Sequence, residues 1–397
     1  MLAAAVRVTR NVELAEECAQ EAYASALTTW PVTGVPAGPV AWLTTTARRR
    51  AIDTVRREQV YRAKLALLTR PDDATPEEPS GDVPDERLRL IFLCCHPALA
   101  AEVRPALTLR LVCGLTTAEI AHAFLVAEPT MAARLTRAKK KISAARIPLR
   151  VPAADQLPAR LDAVLRVIHL LLTTGHTAPS GPALVRADLT GEALHLARML
   201  SRLMPGHRET HGLLALALVT QARRGTRVDD QGRLTRLDEQ DRTRWDRAAI
   251  AEAHELIVGA LPGGPPGQYT LQAAIAALHA QAATFDQTDW PQIVTLYDHL
   301  LANWPSPVTA LNRAVALAHV HGPAHALREI QRLERDGRLA AYRYLPAVKA
   351  DLLDRLGRSA EAGAAYRQAL DLTANESERA FLTGRLADAG AHGPVTD

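Results

Sequence analysis

The residues best placed to do chemistry in this chain lie along one predicted helix that begins near Glu128. They are polar or basic, and most recur three or four positions apart, which places them on one helix face: Thr130, Arg134, Arg137, Lys140 and Lys141. Arginine and lysine donate hydrogen bonds to DNA phosphates and base edges, so this face suits contact with a duplex. An ordinary amphipathic helix with a solvated basic face is the alternative interpretation.

Two short helices joined by a tight turn are predicted to hold this face in place. Thr116 or Thr117 can cap the first helix, and Glu119 lies at the spacing that completes a capping box. The second helix opens at Glu128-Pro129, because proline is tolerated in a first turn. The apolar residues predicted to face inward are Ile120, Ala121 and Phe124, then Met131, Leu135, Ala138 and Ile142. The pattern indicates a helix-turn-helix, whose second helix can lie in the major groove of DNA.

A second basic cluster lies earlier, on a helix predicted to begin at about Pro39. Its acidic residues, Asp53 and Glu58, are outnumbered by basic ones. The basic residues are Arg48, Arg49, Arg50, Arg56, Arg57, Arg62 and Lys64. The residues predicted to face inward are Trp42, Leu43, Ala47, Ile52 and Val55. Because the whole chain carries a net charge of only +4, two concentrated basic clusters indicate two contacts with one polyanion.

Three further segments lie beside these clusters. An amphipathic helix that begins at Asn11 or Glu13 carries several acidic residues, and residues 30–36 hold two prolines and a glycine, which predicts a loop. Residues 70–86 are rich in proline and acid and nearly empty of large apolar side chains, so they cannot pack. They are predicted to form a mobile linker, for which a plain tether is the simplest role.

From near Gln156 the chain is long, neutral and helical. Its last part repeats: residues 350–370 show the small and large alternation of a tetratricopeptide helix pair, and residues 290–318 give a weaker copy. Such pairs bury their apolar faces only by stacking, which yields a helical solenoid. A solenoid offers a groove for a protein or peptide partner, and a packed array without a partner is the alternative.

The whole chain excludes several classes of protein. Nearly every segment has helical periodicity, so the predicted fold class is all-α. Four cysteines give no disulfide framework, and neither a signal peptide nor an apolar run long enough to span a bilayer is visible, which predicts a cytoplasmic protein without membrane contact. Cys94-Cys95-His96 lacks a second pair of zinc ligands, and His319, His321 and His325 flank a turn. No catalytic residue, metal site or cofactor is predicted, so we do not expect an enzyme.

Taken together, these segments resemble a bacterial extracytoplasmic-function (group IV) RNA polymerase sigma factor. The chain is most similar to the subgroup with a long tetratricopeptide-like C-terminal extension. The likeness is carried by residues 14–23, 41–53, 87–99, 107–111 and the hairpin, and in the extension by residues 185–189, 241–246, 271–277 and 311–316. It implies a sigma region 2 module at 1–61, an acidic flexible linker at 62–84, a region 4 helix-turn-helix module at 85–148 and the extension at 149–397.

The resemblance also implies roles for residues. Core polymerase, through its β′ clamp and β flap, would be one partner, and the residues that bind it would be Glu16, Glu17, Gln20 and Glu21. The segment 30–38 would capture a base flipped from the minus-10 element, and the minus-10 residues would be Trp30, Trp42, Arg48, Arg49, Arg50, Asp53, Arg56 and Arg57. The minus-35 residues would be Thr130, Arg134, Arg137, Lys140 and Lys141.

The function implied is a sigma factor that binds core polymerase, recognises and melts a small set of promoters, and is modulated by its extension. The alternative is a helix-turn-helix regulator whose solenoid senses a ligand or peptide, and a third class is a tetratricopeptide scaffold with incidental basic clusters.

Two features depart from the family pattern. Only residues 2–10 correspond to the helix that usually opens the first module, which predicts either a further N-terminal segment or weakened core binding. Thr130-Met-Ala-Ala-Arg134 stands where Thr-Val-Lys-Ser-Arg is commoner, so one lysine contact to the minus-35 element is expected to be missing.

Overall fold

A computed structural model of the chain describes residues 1–9, 11–66, 86–144 and 154–391. Within these ranges it contains eighteen α-helices, three short 3₁₀ helices and one pair of two-residue strands. The all-α prediction is therefore confirmed. The residues form two compact units, the first made of Met1–Ile120 and Ala127–Val167, the second of Ala121–Val126 and Ile168–Asp397.

Three helices begin the first unit: α1 (Leu2–Thr9), α2 (Val12–Thr33) and α3 (Pro39–Ala66). They pack through alanines that are completely buried, namely Ala5, Ala15, Ala22, Ala47 and Ala51. A side chain of one methyl group lets helix axes approach closely, so this small module needs few large residues for its core.

The prediction of a loop at residues 30–36 is wrong for residues 30–33, because α2 continues through Pro31 to Thr33. The Gly34 N–H donates to the Trp30 carbonyl at 2.9 Å, and the Thr33 hydroxyl donates to the Thr29 carbonyl at 3.0 Å. Pro31 lies in the last turn of α2, where its missing N–H removes a single helical bond and the helix persists. The non-helical segment is therefore short and runs from Gly34 to Gly38.

Two details of α3 also differ from the sequence prediction. Ile52, expected inside, is 44% exposed, since the buried face of the helix passes through Ala47 and Ala51 instead. Helix α3 also runs to Ala66, so residues 62–66, which we assigned to the linker, are helical. The rest of the predicted linker lies outside the described residues.

The second module of this unit has four helices: α4 (Glu86–Cys94), α5 (Val103–Leu111), α6 (Thr117–Ala123) and α7 (Glu128–Ala144). Its core consists of residues with almost no exposed surface, including Leu88, Ile91, Phe92, Leu107, Leu109, Ile120, Met131, Cys94 and Cys95. Cys94 and Cys95 thus pack in the interior of this module. A 3₁₀ turn (Ala154–Gln156) and α8 (Pro158–His176) follow, and the buried Arg160 of α8 donates to the Phe92 carbonyl at 2.9 Å.

The second unit continues as a succession of helices of similar length. They are α9 (Ala187–Leu203), α10 (Arg208–Ala222), α11 (Arg247–Ala260), α12 (Gln268–Gln281), α13 (Trp290–Asn303), α14 (Pro307–Val320), α15 (Pro323–Asp336), α16 (Tyr344–Arg355), α17 (Ser359–Leu372) and α18 (Glu376–Ala391). Two strands, β1 (Ser180–Gly181) and β2 (Ala374–Asn375), pair in parallel. No helix of the described residues is both long and apolar enough to span a bilayer.

Helix pairs separated by a glycine turn recur in this unit. Gly357 between α16 and α17 has φ +71° and Gly322 between α14 and α15 has φ +81°, values that glycine adopts without strain. The pairs α14–α15 and α16–α17 thus share this turn, and the predicted weaker copy at residues 290–318 corresponds to the preceding pair, α13–α14. Stacked pairs of this kind support the predicted tetratricopeptide-like solenoid.

Candidate nucleic-acid interface

Reciprocal hydrogen bonds fix the start of α6. The Thr116 hydroxyl accepts from the Glu119 N–H at 3.2 Å, and the Glu119 carboxylate accepts from the Thr116 N–H at 2.7 Å. Thr116 rather than Thr117 is therefore the cap, and the capping box predicted from the sequence is confirmed.

The turn between α6 and α7 depends on a residue that does not favour it. Leu125 has φ +53°, and the Val126 N–H reaches back to the Ala121 carbonyl at 3.0 Å. A left-handed residue followed by such a bond commonly ends a helix, and glycine usually occupies the position. Here a leucine that is 41% exposed takes it, so the turn holds backbone strain.

Helix α7 separates an apolar face from a basic one. Met131, Leu135 and Ala138 are buried as predicted, whereas the side chain of Ile142 lies outside the described residues. On the other side Thr130, Arg137, Lys140 and Lys141 are exposed and Arg134 is half-buried. The structure thus gathers all five predicted minus-35 residues on one helix, available to a ligand.

Lys139 of the same helix has a different environment. Its Nζ lies 2.6 Å from Glu16 Oε2, and the two side chains are only 28% and 26% exposed. Glu16 is one of the four predicted core-binding residues, while Glu17, Gln20 and Glu21 remain exposed. The four residues are therefore not equivalent, since Glu16 has a partly buried cationic partner on α7, whereas Glu21 Oε2 lies 3.6 Å from Arg50 Nε in an exposed pair.

A pair of tryptophans marks the junction between α2 and α3. Trp30 and Trp42 meet edge to face, with ring centres 5.5 Å apart and an angle of 63° between planes. Trp30 Nε1 is buried and has no hydrogen-bond partner among the described residues. Exposed apolar side chains lie next to the pair, namely Val32 (86%), Val35 (65%) and Val40 (72%). Aromatic rings beside an apolar rim suit stacking against an unpaired base.

The arginines of α3 flank a groove between α1 and α3. Arg48, Arg49, Arg50, Asp53 and Arg56 are exposed, and the side chain of Arg57 lies outside the described residues. The groove has a volume of about 300 Å³ and is lined by Ala4, Arg7, Thr44, Thr45, Arg48, Arg49 and Ile52. Guanidinium and hydroxyl groups of this kind bind phosphate oxygens. Sequence reasoning missed Arg7, Thr44 and Thr45, for which the only signal was their polarity on helices otherwise rich in alanine.

Cys95 and His319 lie in packed surroundings. Burial raises the pKa of the Cys95 thiol to about 12, so the thiol of the free chain stays protonated at neutral pH. His319 stacks on Trp290 with ring centres 3.9 Å apart. Among the residues that the structure describes, no three His, Cys, Asp or Glu side chains are grouped to hold an ion.

Comparison with known families identifies the two modules that carry the basic faces. Residues 1–60 match the model of sigma-70 region 2, and residues 89–142 match sigma-70 region 4. The chain is also 43% identical over 391 residues to an uncharacterized protein of Rhizobium meliloti (strain 1021), covering 97% of this chain and 92% of the relative. The chain belongs to the sigma-70 family.

As a sigma factor it acts in promoter recognition and transcription initiation, with core RNA polymerase and promoter DNA as its partners. Residues 160–261, which run from α8 to the end of α11, match a family of unknown function (DUF6596). The part of the chain that follows the two sigma modules therefore has a recognisable relative but no assigned role.

Proposed function

We propose that this sigma factor is of the extracytoplasmic-function (group IV) type and serves a small promoter set, with its C-terminal extension modulating activity. The observation that carries the proposal is the presence of two separate basic faces, one in each sigma module. Each module offers a different chemistry, because one face is a rigid helix and the other combines arginines with half-buried aromatic rings.

The minus-35 role is proposed for Thr130, Arg134, Arg137, Lys140 and Lys141. Their support is the exposure of this face of α7 and the capped, tightly turned α6 before it. A helix held at a fixed angle to its neighbour can present its outward side chains to base edges in the major groove. The absence of a lysine at Ala132 leaves arginine as the main cation near the start of the helix.

The minus-10 role is proposed for Trp30, Trp42, Arg48, Arg49, Arg50, Asp53, Arg56 and Arg57. Base flipping costs a few kcal/mol of stacking energy, and contact with aromatic rings can offset it. The Trp30 and Trp42 pair supports this role, because its rings are half-buried next to a short non-helical segment and remain partly open to solvent. The arginine-lined groove beside α1 would hold the phosphates of the same strand.

The core-binding role is proposed for Glu16, Glu17, Gln20 and Glu21 on α2, against the β′ clamp, with the β flap meeting the region 4 module. Three of these side chains are exposed, and the fourth is paired with Lys139. If polymerase takes Glu16, Lys139 is released from its partner. We infer that core binding and the freeing of α7 are linked through this ion pair.

In vitro transcription with core RNA polymerase tests the proposal. The chain should direct promoter-dependent transcripts, and deletion of the residues after Ile147 should abolish or deregulate them. A chain that shifts duplex DNA without giving a transcript would instead be a helix-turn-helix regulator. A chain that binds no DNA at low salt would be a scaffold, and wild-type activity of the truncated chain would remove the role of the extension.

A further inference from the structure

A buried basic cluster lies in the second unit, far in sequence from the residues assigned to DNA and polymerase. Arg223 follows α10, and Arg242 begins a 3₁₀ turn (Arg242–Arg244) before α11. Their guanidinium carbons lie 5.1 and 4.9 Å from the ring centre of Trp245, which is 3% exposed. One indole ring therefore brings two arginines into the same small region.

The hydrogen-bonding capacity of this cluster is only partly used. Arg242 Nη1 donates to the carbonyls of His279 at 2.7 Å and Ala282 at 2.8 Å. Its Nη2, the Nε of Arg223 and the Nδ1 of His279 are buried without a hydrogen-bond partner among the described residues. Because Arg242 is only 7% exposed, bulk water does not replace the missing partner.

The charges around the cluster are of one sign. After burial itself, the charges that lower the pKa of Arg223 to about 10 are those of Arg227 and Arg242. Burial and then Arg247 lower the pKa of Arg242. Both groups remain cationic at neutral pH, and cation–π contact with one indole offsets only part of the cost of burying them.

His279 is the third side chain of the cluster and is uncharged at neutral pH. Burial, and then the charges of Arg223 and Arg242, lower its pKa to about 3. A neutral imidazole protonated at Nδ1 would donate a hydrogen bond from that atom. The cluster therefore combines two cations and one further donor, with unpaired nitrogen atoms on all three side chains.

We propose that Arg223, Arg242 and His279 form a binding site for a phosphate-type oxyanion, either free phosphate or the phosphate of a small metabolite. The N–H groups of a guanidinium match phosphate oxygens in geometry, and a dianion balances the charge of the two arginines. Arg223 is half-buried rather than fully enclosed, so it marks the side by which the anion enters. Arg223 and Arg242 lie within residues 160–261, which gives that segment of unassigned role a ligand chemistry. The proposal goes beyond promoter recognition and does not depend on it.

Calorimetric titration of the full chain with inorganic phosphate and, separately, with adenosine monophosphate tests the proposal at constant ionic strength. Saturable binding of either probe is expected, and whichever binds more tightly identifies free phosphate or a metabolite phosphate as the source. Arg223→Met and Arg242→Met should each weaken the affinity at least tenfold. Arg244→Met removes the same charge from an exposed neighbour of the same turn and should leave the affinity within twofold.

Two controls keep the test decisive. If Arg242→Met unfolds, as judged by circular dichroism, Arg223→Met carries the test, because its side chain is only half-buried. In the wild-type chain at neutral pH, phosphate should also shift the side-chain NMR signals of His279, which a phosphate bound at the DNA-binding arginines would not do. Absence of saturable binding of both probes, or equal affinity in wild type and Arg223→Met, would overturn the proposal.

Discussion

Replacing Arg134 and Arg137 by alanine tests whether the outward face of α7 touches DNA phosphates. Arg137 is exposed and Arg134 is half-buried at the edge of the face that carries Met131, Leu135 and Ala138, and neither belongs to the buried core of the module. In the free protein Arg137 Nε donates to the Ala133 carbonyl of its own helix, at 3.3 Å. Its movement toward a phosphate breaks this weak bond.

The expected magnitude follows from counterion release. For duplex DNA each phosphate contact adds about 0.9 to the slope of log K against log salt concentration, so two lost contacts reduce the slope by roughly 1.8. Between 50 and 200 mM salt, each contact corresponds to roughly a 3.5-fold difference in affinity. The advantage of the wild-type chain should thus shrink about tenfold over this range.

Fluorescence anisotropy with a duplex selected in vitro for binding by the wild-type chain measures the slope directly. The double variant Arg328→Ala with Arg335→Ala, at two exposed positions of α15, is the matched control for the loss of two positive charges. A slope that is unchanged in the double variant would refute the phosphate contacts. A loss of only about 0.9 would mean that one of the two arginines contacts a base edge instead.

Three other perturbations test the structure. Leu125→Gly should raise the free energy of unfolding of the region 4 module by about 0.5–1 kcal/mol, because relief of left-handed strain exceeds the added chain entropy. Denaturant unfolding measures this, with Leu125→Ala as the control for loss of the side chain. A decrease in the free energy of unfolding as large as that of Leu125→Ala would contradict the prediction. Gly212→Ala should destabilise the second unit by about 1–3 kcal/mol in thermal melts, since a Cβ there would lie 2.5 Å from the Thr270 backbone nitrogen. Gly191→Ala in α9 is the control, because a Cβ there meets no neighbouring atom within 4 Å, and it should be neutral or stabilising. Lys139→Ala should tighten core polymerase binding about two- to fivefold, because polymerase no longer has to break an ion pair with Glu16 that contributes up to about 1 kcal/mol. A binding titration measures this. The same change in Lys140→Ala would exclude a specific role for the pair with Glu16.

Much of the candidate interface could be predicted from sequence, because its signals are local. The capping box at Thr116 and Glu119 and the apolar spacing of Met131, Leu135 and Ala138 depend on neighbours within one or two turns, and the structure agrees with each of them. Helix α2 shows the limit of such signals. Pro31 predicted a loop, but a proline in the last turn costs too little to end a helix that is otherwise well packed.

Contacts between distant residues could not be predicted in this way. Ile52 has the apolar character of a core residue, yet the approach of α1 and α2 selects the face of α3 that carries Ala47 and Ala51. Lys139 looks like part of a DNA-binding face until the fold brings it to Glu16. In each case the composition of the helix permits more than one orientation, and neighbouring helices choose between them.

By itself, the sequence determined the helical class, the two basic helices and the family resemblance, since periodicity, caps and charge clusters are written within short stretches of chain. Only the tertiary structure decided where α2 ends, which residue strains the turn at Leu125, and that Arg223, Arg242 and His279 meet around Trp245. The physical reason is that burial and pairing are properties of a three-dimensional neighbourhood. An arginine in the sequence is a solvated charge by default, and only packing shows that it is buried with part of its hydrogen-bonding capacity unused.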